Sequence, residues 1–344
     1  MARKVLIYIL SIIITISCTA CSPTDTQELL DNNAEKYGFG KTEESYELNV
    51  NQDLLDELIS KYSGSFYEPS GNTMTDDEHN DLKNNNENSD EIENTTEISI
   101  VTSSDSIPKV SNYDDLKSTF DQAYENMSET IEFQTANGFS VDPDKDWQKI
   151  YTQLLREDPI NVSGVESWST WNNGDEYYIS VGYEFDTDLL REMRHESLKL
   201  VDKAYNEIKT NGLSEYDTVC AVNNYLCDNV YYPSKEPYEP VTHTAYGALK
   251  NGCAVCDGYS CAAKLLLEKF NIECDIEVGT CLDGGGHAWN LVKVDGNWYQ
   301  MDVTWNDGST TREEYLLVTD EYMKQSRSWD ESDFPKTADE PYIK

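Results

Sequence analysis

Apolar side chains recur at three- and four-residue intervals in several segments, a spacing that places them on one face of a helix. These segments predict helices over residues 113–127, 147–155, 188–209, 215–230 and 259–270. Alternating or continuous apolar runs bounded by turn residues predict strands over residues 130–133, 165–171, 177–185, 274–278, 287–294 and 298–305. Helices and strands in this mixed order predict an α+β fold.

Local signals define where some of these elements turn or begin. Asn172-Asn173-Gly174 separates two predicted strands, and Asp295-Gly296-Asn297 separates two more, so both segments indicate hairpins. Ser214 with Asp217 three residues later is typical of a capping box at the start of a helix.

A long polar stretch precedes these elements. Residues 68–106 are mostly Asn, Asp, Glu, Ser and Thr, a composition that buries too little to offset the entropy cost of ordering and therefore predicts disorder. We expect the chain to divide into five regions: a signal segment, an acidic tether, a small α+β lead-in region, a larger α+β domain and a peripheral C-terminal tail, over residues 1–21, 22–110, 111–187, 188–320 and 321–344.

The N-terminus predicts export. Basic residues precede an apolar run over residues 5–16, which is too short to span a bilayer but fits a signal segment. The residues around Cys18 and Cys21 resemble a bacterial lipobox, in which a cysteine after the cleavage site is lipidated. Cys21, preceded by Ala20, is the preferred position and Cys18 the alternative. The prediction is a membrane-anchored lipoprotein at the cell surface, or a secreted protein if the signal is an ordinary one.

Composition and charge exclude several classes of partner. The 344 residues carry a net charge of −39, and hydrophobic residues make up 38%. Binding to nucleic acid or to an anionic lipid surface requires a basic face, so neither is expected. Nine cysteines are present, and an odd number leaves at least one thiol unpaired by disulfides within the chain.

Three residues downstream of the lead-in region suggest nucleophilic chemistry. Cys256 precedes the apolar face that begins at Tyr259, so its thiol should lie at a helix start, where the helix dipole favours a thiolate. A two-residue turn at Asp295-Gly296 would bring His287 and Asp302 to the same face of a hairpin, in diagonal positions about 7 Å apart. A thiol, an imidazole and a carboxylate are the parts of a cysteine nucleophile site.

The segments Gly252–Ser260, Gly286–Asn290 and Met301–Asp307 resemble the core of the transglutaminase-like superfamily, which has a cysteine-protease-like, papain-like fold. The resemblance covers about residues 214–319. It implies a catalytic cysteine at a helix N-terminus packed on an antiparallel sheet. The implied roles are Cys256 as nucleophile, His287 as general base and acid, and Asp302 as the residue that orients His287.

Other residues enter as candidates around this implied triad. An oxyanion hole would combine the Cys256 backbone N–H with a side-chain donor, for which His243 and Tyr246 are candidates. Trp289 and Trp305 are expected to form core or cleft walls. No cofactor or metal is expected, and the sequence shows no clear cluster of calcium ligands.

Several interpretations stay open at this point. The C-x-x-C spacing of Cys253 and Cys256 also fits a redox pair or half of a zinc site. The favoured function is amide hydrolysis in a peptide or protein substrate, possibly one associated with the cell wall, because the small residues Gly284-Gly285-Gly286 suggest a site open to water. The alternatives are a protein-glutamine amine acyltransferase and a non-catalytic binding module that keeps the fold.

Overall fold

The computed structural model describes residues 39–42, 45–48, 69–75, 78–80, 82, 107–208, 212–234, 238–282, 284–308 and 312–343. The predicted signal segment, both candidate lipidation cysteines and most of the predicted tether lie outside these residues. Within the described part of the chain, no helix combines the length and the hydrophobicity needed to cross a membrane. Strands β1 (Phe39–Thr42) and β2 (Ser45–Leu48) form an antiparallel pair.

The chain divides into two compact units, one comprising residues 68–194 and the other residues 195–344 with 1–67. The first unit contains a five-stranded mixed sheet with strand order β3-β6-β7-β5-β4. Its strands are β3 (Ser70–Thr73), β4 (Lys109–Val110), β5 (Thr130–Thr135), β6 (Val165–Asn173) and β7 (Glu176–Tyr183), and its helices are α1 (Tyr113–Glu125) and α2 (Pro143–Glu157). Large aromatic side chains such as Trp147 and Trp168 are buried in its core.

The predicted disorder over residues 68–106 is wrong for its first few residues. Ser70–Thr73 pairs with β6 in parallel, and Met74 is buried. The strand carries no alternating apolar pattern, because its contribution to the sheet comes from backbone hydrogen bonds at an edge rather than from buried side chains. The proposed division at residue 110 and the other domain boundaries stay predictions.

The second unit is α+β, as predicted, with an antiparallel sheet of order β11-β10-β9-β8-β12. Its strands are β8 (Cys274–Cys281), β9 (Gly286–Val294), β10 (Asn297–Met301), β11 (Leu316–Val318) and β12 (Arg327–Ser328). Its helices include the second part of α3 (Thr187–Glu207), α4 (Glu215–Asn229), α5 (Cys256–Lys269), α6 (Val303–Asp307) and α7 (Asp320–Met323), with a 3₁₀ turn at Pro240–His243, a π turn at Gly247–Asn251 and another 3₁₀ turn at Glu331–Asp333.

Local signals account for several of these bounds. The Ser214 hydroxyl oxygen accepts a hydrogen bond from the Asp217 backbone N–H, which caps α4 as the sequence predicts. The turn at Asp295-Gly296 pairs Val294 with Asn297, so the predicted hairpin register is confirmed. Gly296 has φ +82°, a left-handed conformation that glycine adopts without steric cost.

The predicted strand over residues 298–305 is only half correct. β10 ends at Met301, and residues 303–307 form the short helix α6, with Asp302 as its N-cap. The Asp302 side chain accepts a hydrogen bond from the Trp305 backbone N–H, which satisfies a donor that a new helix would otherwise leave unpaired. A helix of five residues is too short to show the apolar spacing on which the prediction relied.

The prediction that the chain beyond Thr319 is peripheral is also wrong. β12 pairs with β8 at the edge of the sheet, where Arg327 is opposite Cys281 and Ser328 is opposite Thr280. The sequence did not predict this strand because its two residues are polar and give no apolar pattern. The C-terminal segment is therefore part of the sheet that carries the candidate site.

Candidate active site

Cys256 is the first residue of α5, at the position that the sequence predicts. Val255 precedes it as the N-cap and donates its backbone N–H to the Thr242 carbonyl oxygen at 3.0 Å. A Cβ atom at Gly258 would lie only 2.3 Å from that same oxygen, so glycine is required for the close approach. The first turn of α5 is thus held tightly against the 240–244 segment, with the thiol at the positive end of a 14-residue helix.

The body of α5 is anchored to the sheet. Tyr259, Ala262, Leu266 and Leu267 are all fully buried, which confirms the predicted apolar face. The Asn290 side-chain amide, on β9, donates to the Ser260 carbonyl oxygen at 3.0 Å. This contact ties the helix that carries the thiol to the strand that carries His287.

His287 and Asp302 lie in direct contact, as the hairpin register indicates. The His287 Nε2 atom is 2.8 Å from Asp302 Oδ2, and both side chains are completely buried. Burial raises the pKa of Asp302, but the neighbouring His287 and the Arg327 guanidinium outweigh it and bring the pKa to about 2. Asp302 is therefore ionised.

The ionised Asp302 determines which imidazole nitrogen is basic. A carboxylate can only accept hydrogen bonds, so Nε2 of His287 must carry a proton and donate it. The other nitrogen, Nδ1, then carries the lone pair, and this buried atom has no hydrogen-bond partner among the described residues. Burial lowers the pKa of His287 below its ordinary value, although Asp302 opposes this effect, so the ring is held neutral with Nδ1 able to accept a proton.

Sequence reasoning missed a fourth polar member of this site, Arg327 on β12. Its Nη1 atom donates to Asp302 Oδ2 at 2.5 Å, the same oxygen that contacts His287. The Arg327 side chain is completely buried. Asp302 therefore binds three partners: Oδ1 caps α6, and Oδ2 bridges His287 and Arg327.

Aromatic rings enclose the imidazole and the guanidinium together. The His287 ring centroid lies 5.8 Å from that of Trp289 and 5.6 Å from that of Trp305. The guanidinium carbon of Arg327 lies 4.0 Å from the Trp305 ring centroid, 4.9 Å from that of Trp289 and 5.6 Å from that of Tyr315. Trp289 and Trp305 thus form walls around the His287 imidazole, and a cation held over aromatic faces is favourable where water is excluded.

The two candidate oxyanion donors are in different surroundings. The His243 Nδ1 atom is 2.8 Å from Asp257 Oδ2, and Asp257 directly follows Cys256 in the chain, so His243 lies beside the helix start. The Tyr246 hydroxyl instead donates to Glu196 on α3 at 3.3 Å. The contact of His243 is therefore with the first turn of α5, and the hydroxyl contact of Tyr246 is with α3.

The C-x-x-C pair is divided between two local environments. Cys253 is half-buried and forms a parallel bridge with Tyr231 ahead of α5, whereas Cys256 is fully buried within its first turn. None of the seven cysteines in the described part of the chain forms a disulfide. No group of three or more His, Cys, Asp or Glu residues that could hold a metal ion is found in this same part.

The site is closed rather than open. Cys256, His287 and Asp302 each have a relative exposure of 0%. The expectation of an open site, based on the small residues at 284–286, is therefore wrong, because all three side chains are completely buried in this structure.

Residues 202–303 match the sequence model of the Transglutaminase-like superfamily. This part of the chain is a transglutaminase-like domain. The match includes Cys256 and the His287–Asp302 pair, and it ends before Arg327. No match was found among curated proteins.

Two solved structures are similar to parts of the chain at low scores. A structure described as that of a TGase is 17% identical and has a TM-score of 0.29, with 58% of this chain and 59% of that chain covered. A candidate cysteine protease from Cytophaga hutchinsonii is 16% identical with a TM-score of 0.28, covering 41% of this chain and 62% of that one. The chain thus spans about three fifths of each, and scores this low carry no argument about activity.

Proposed function

We propose that the transglutaminase-like domain is an amide hydrolase that acts through a cysteine thioester. The proposal is supported by two observations: Cys256 lies fully buried at the start of α5, and Asp302 fixes the proton on Nε2 of His287, which leaves the lone pair on Nδ1. A thiol is a weak nucleophile until a base takes its proton, and His287 Nδ1 is suited to that role.

The proposed reaction proceeds in two halves. The thiol proton passes to Nδ1 of His287, and the Cys256 sulfur attacks the amide carbonyl carbon to form a tetrahedral oxyanion. As the C–N bond breaks, His287 returns the proton to the leaving amine, which leaves a thioester on Cys256. Water then gives its proton to His287 and attacks the thioester, and the thiol leaves as the carboxylic acid forms.

The oxyanion would be stabilised at the start of α5. The Cys256 backbone N–H belongs to the first helical turn, whose N–H groups are not used in the helix's own ladder. His243, held beside this turn by Asp257, is the proposed side-chain donor.

A second candidate function is amine transfer, with a protein glutamine as donor and a primary amine as acceptor. The observation that favours it is the complete burial of the site, because a thioester shielded from water survives long enough for a dilute amine to react. A non-catalytic binding role has less support, since binding alone does not require a buried histidine whose proton is fixed by a carboxylate.

The test compares the purified protein with Cys256→Ala, using Cys253→Ala as the matched control. Glutamine-containing peptides and cell-wall peptides are incubated in H₂¹⁸O, with and without a fluorescent primary amine. We expect an acyl adduct on Cys256, one ¹⁸O atom in the product carboxylate and loss of both in Cys256→Ala only. Amine incorporation without hydrolysis would favour the transferase, and no adduct with any substrate would contradict both enzymatic functions.

We further propose that the protein is exported and anchored at the cell surface through Cys21, or through Cys18. The support is the basic and apolar pattern of the first 21 residues and the lipobox-like segment. Metabolic labelling with a radioactive fatty acid tests this: Cys21→Ala should abolish the label and Cys18→Ala should retain it. The reverse result would assign the anchor to Cys18, and label-free protein in the medium would indicate a secreted form.

A further inference from the structure

The charges in the buried site do not balance if His287 is protonated. Asp302 is the only carboxylate within hydrogen-bond distance of His287 among the contacts of the described residues, and its Oδ2 is already shared with Arg327. Arginine stays charged in proteins. With a neutral imidazole, the Asp302–Arg327 pair sums to zero, whereas an imidazolium would leave one uncompensated positive charge among completely buried side chains.

We propose that Arg327 is a positioning residue that shares the Asp302 carboxylate with His287 and so weakens it as a counter-ion for an imidazolium, with the result that His287 gains a proton only when Cys256 loses one. The thiolate is then the charge that balances the imidazolium. This inference rests on the proposed function, in which His287 takes the thiol proton. It assigns a role to a residue that lies beyond the matched region of the domain.

The position of Arg327 supports this assignment. Its strand β12 is fixed to β8 by pairing, and the backbone N–H of Leu282 donates to the Ser326 carbonyl oxygen at 3.1 Å. Trp289 and Trp305 hold the guanidinium on their faces, and both rings also border His287. The cation is therefore held in one place by the same walls that hold the base.

Charged groups reach His287 from several elements. Asp302 approaches from the junction of β10 and α6, and Arg327 from β12. Asp257 on α5 also favours the charged form of His287, although more weakly, and Asp257 is itself paired with His243. On β8, Gly279 is paired with His287 and the acidic residue Glu277 is paired with Trp289. Of these groups, Arg327 is the one that opposes protonation of the imidazole.

The test removes the thiol so that only the imidazole and its fixed neighbours are compared. The chain has four histidines, so each ring can be followed by NMR through a pH titration and assigned by substitution. The titration is made in the Cys256→Ala protein with Arg327 intact, with Arg327→Lys and with Arg327→Met. Lysine keeps the charge, whereas methionine keeps the length and can still pack on the indoles.

With Arg327 intact, we expect the His287 midpoint to lie below the ordinary histidine value of about 6.5. Arg327→Lys should keep a low midpoint. Arg327→Met should move it to higher pH, because one charge within about 4–6 Å is generally worth 1 to 3 pH units. An unchanged midpoint in folded Arg327→Met would overturn the proposal.

Two features keep the result decisive. If Arg327→Met does not fold, the uncharged variant Arg327→Gln replaces it with the same two expected outcomes, and a His287 midpoint at or above about 6.5 in the parent protein refutes the proposal by itself. The Cys256→Ala background has no turnover, so the titration does not depend on any substrate. Failure to find an acyl adduct in the native protein would contradict the proposed function and leave this charge measurement standing.

Discussion

The buried carboxyl of Glu277 should make the stability of the domain fall as pH rises. Glu277 is only 1% exposed in the middle of β8, opposite Trp289. Burial raises its pKa from 4.5 to about 8, despite a hydrogen bond from Gln300. One of its oxygens, Oε2, is buried without a hydrogen-bond partner among the described residues, so the uncharged acid is the form that suits this site.

The sign and size of the effect follow from proton linkage. Between pH 4.5 and about 8 the folded protein keeps the Glu277 proton and the unfolded chain does not, so each increase in pH favours unfolding. Each unit of pKa difference corresponds to about 1.4 kcal/mol. The difference between a pKa of 4.5 in the unfolded chain and about 8 in the folded protein therefore lowers the free energy of unfolding by about 5 kcal/mol in total. The loss begins near pH 4.5 and is complete above pH 8 or so.

Glu277→Gln isolates this contribution because glutamine cannot ionise. The free energy of unfolding is measured by urea denaturation from pH 5 to pH 9 in the native protein, in Glu277→Gln and in Glu273→Gln, which changes a mostly exposed carboxylate near the start of the same strand. From pH 5 to pH 9, the free energy of unfolding of Glu277→Gln should rise by several kcal/mol relative to that of the native protein. The free energy of unfolding of Glu273→Gln should change with pH as that of the native protein does. If the free energies of unfolding of the native protein and of Glu277→Gln change with pH in parallel, the reasoning is refuted, even if the two proteins differ by a constant amount.

Two further predictions concern the site. The double substitution His287→Ala/Asp302→Ala should lower kcat/KM hardly more than His287→Ala alone, because Asp302 acts through His287; additive losses would show that the two residues do not share a role. Gly258→Ala should destabilise the domain by about 1–3 kcal/mol in urea and reduce alkylation of Cys256, since its Cβ would lie 2.3 Å from the Thr242 carbonyl oxygen. If Gly258→Ala is as stable as the native protein, the 240–244 segment moves easily to make room for the added methyl group.

The contact between His287 and Asp302 could be predicted because it depends on a local rule. A two-residue turn fixes the register of a hairpin, and alternate residues then share a face. The observed pairing of Met301 with Asn290 follows this register up to the residue before Asp302. The helix start at Cys256 was similarly readable from the apolar face that follows it.

Arg327 could not be predicted, because its place depends on a distant pairing. β12 has two residues and pairs with β8, more than forty residues earlier in the chain. Arginine is ordinarily a surface residue, and nothing in Ser326-Arg327-Ser328 distinguishes this one from any other. β3 could not be predicted for a similar reason. It joins the edge of its sheet through backbone hydrogen bonds, and its side chains show no alternation of apolar and polar residues.

The elements that form the candidate site are synthesised in a fixed order along the chain. Cys256 and His287 belong to elements that are synthesised first, but the guanidinium that shares Asp302 arrives with β12, the last strand of the sheet. A chain interrupted before residue 327 would hold Cys256, His287 and Asp302 without the guanidinium that shares the carboxylate. The arrangement on which the proposed function depends is therefore complete only when β12 has joined the sheet.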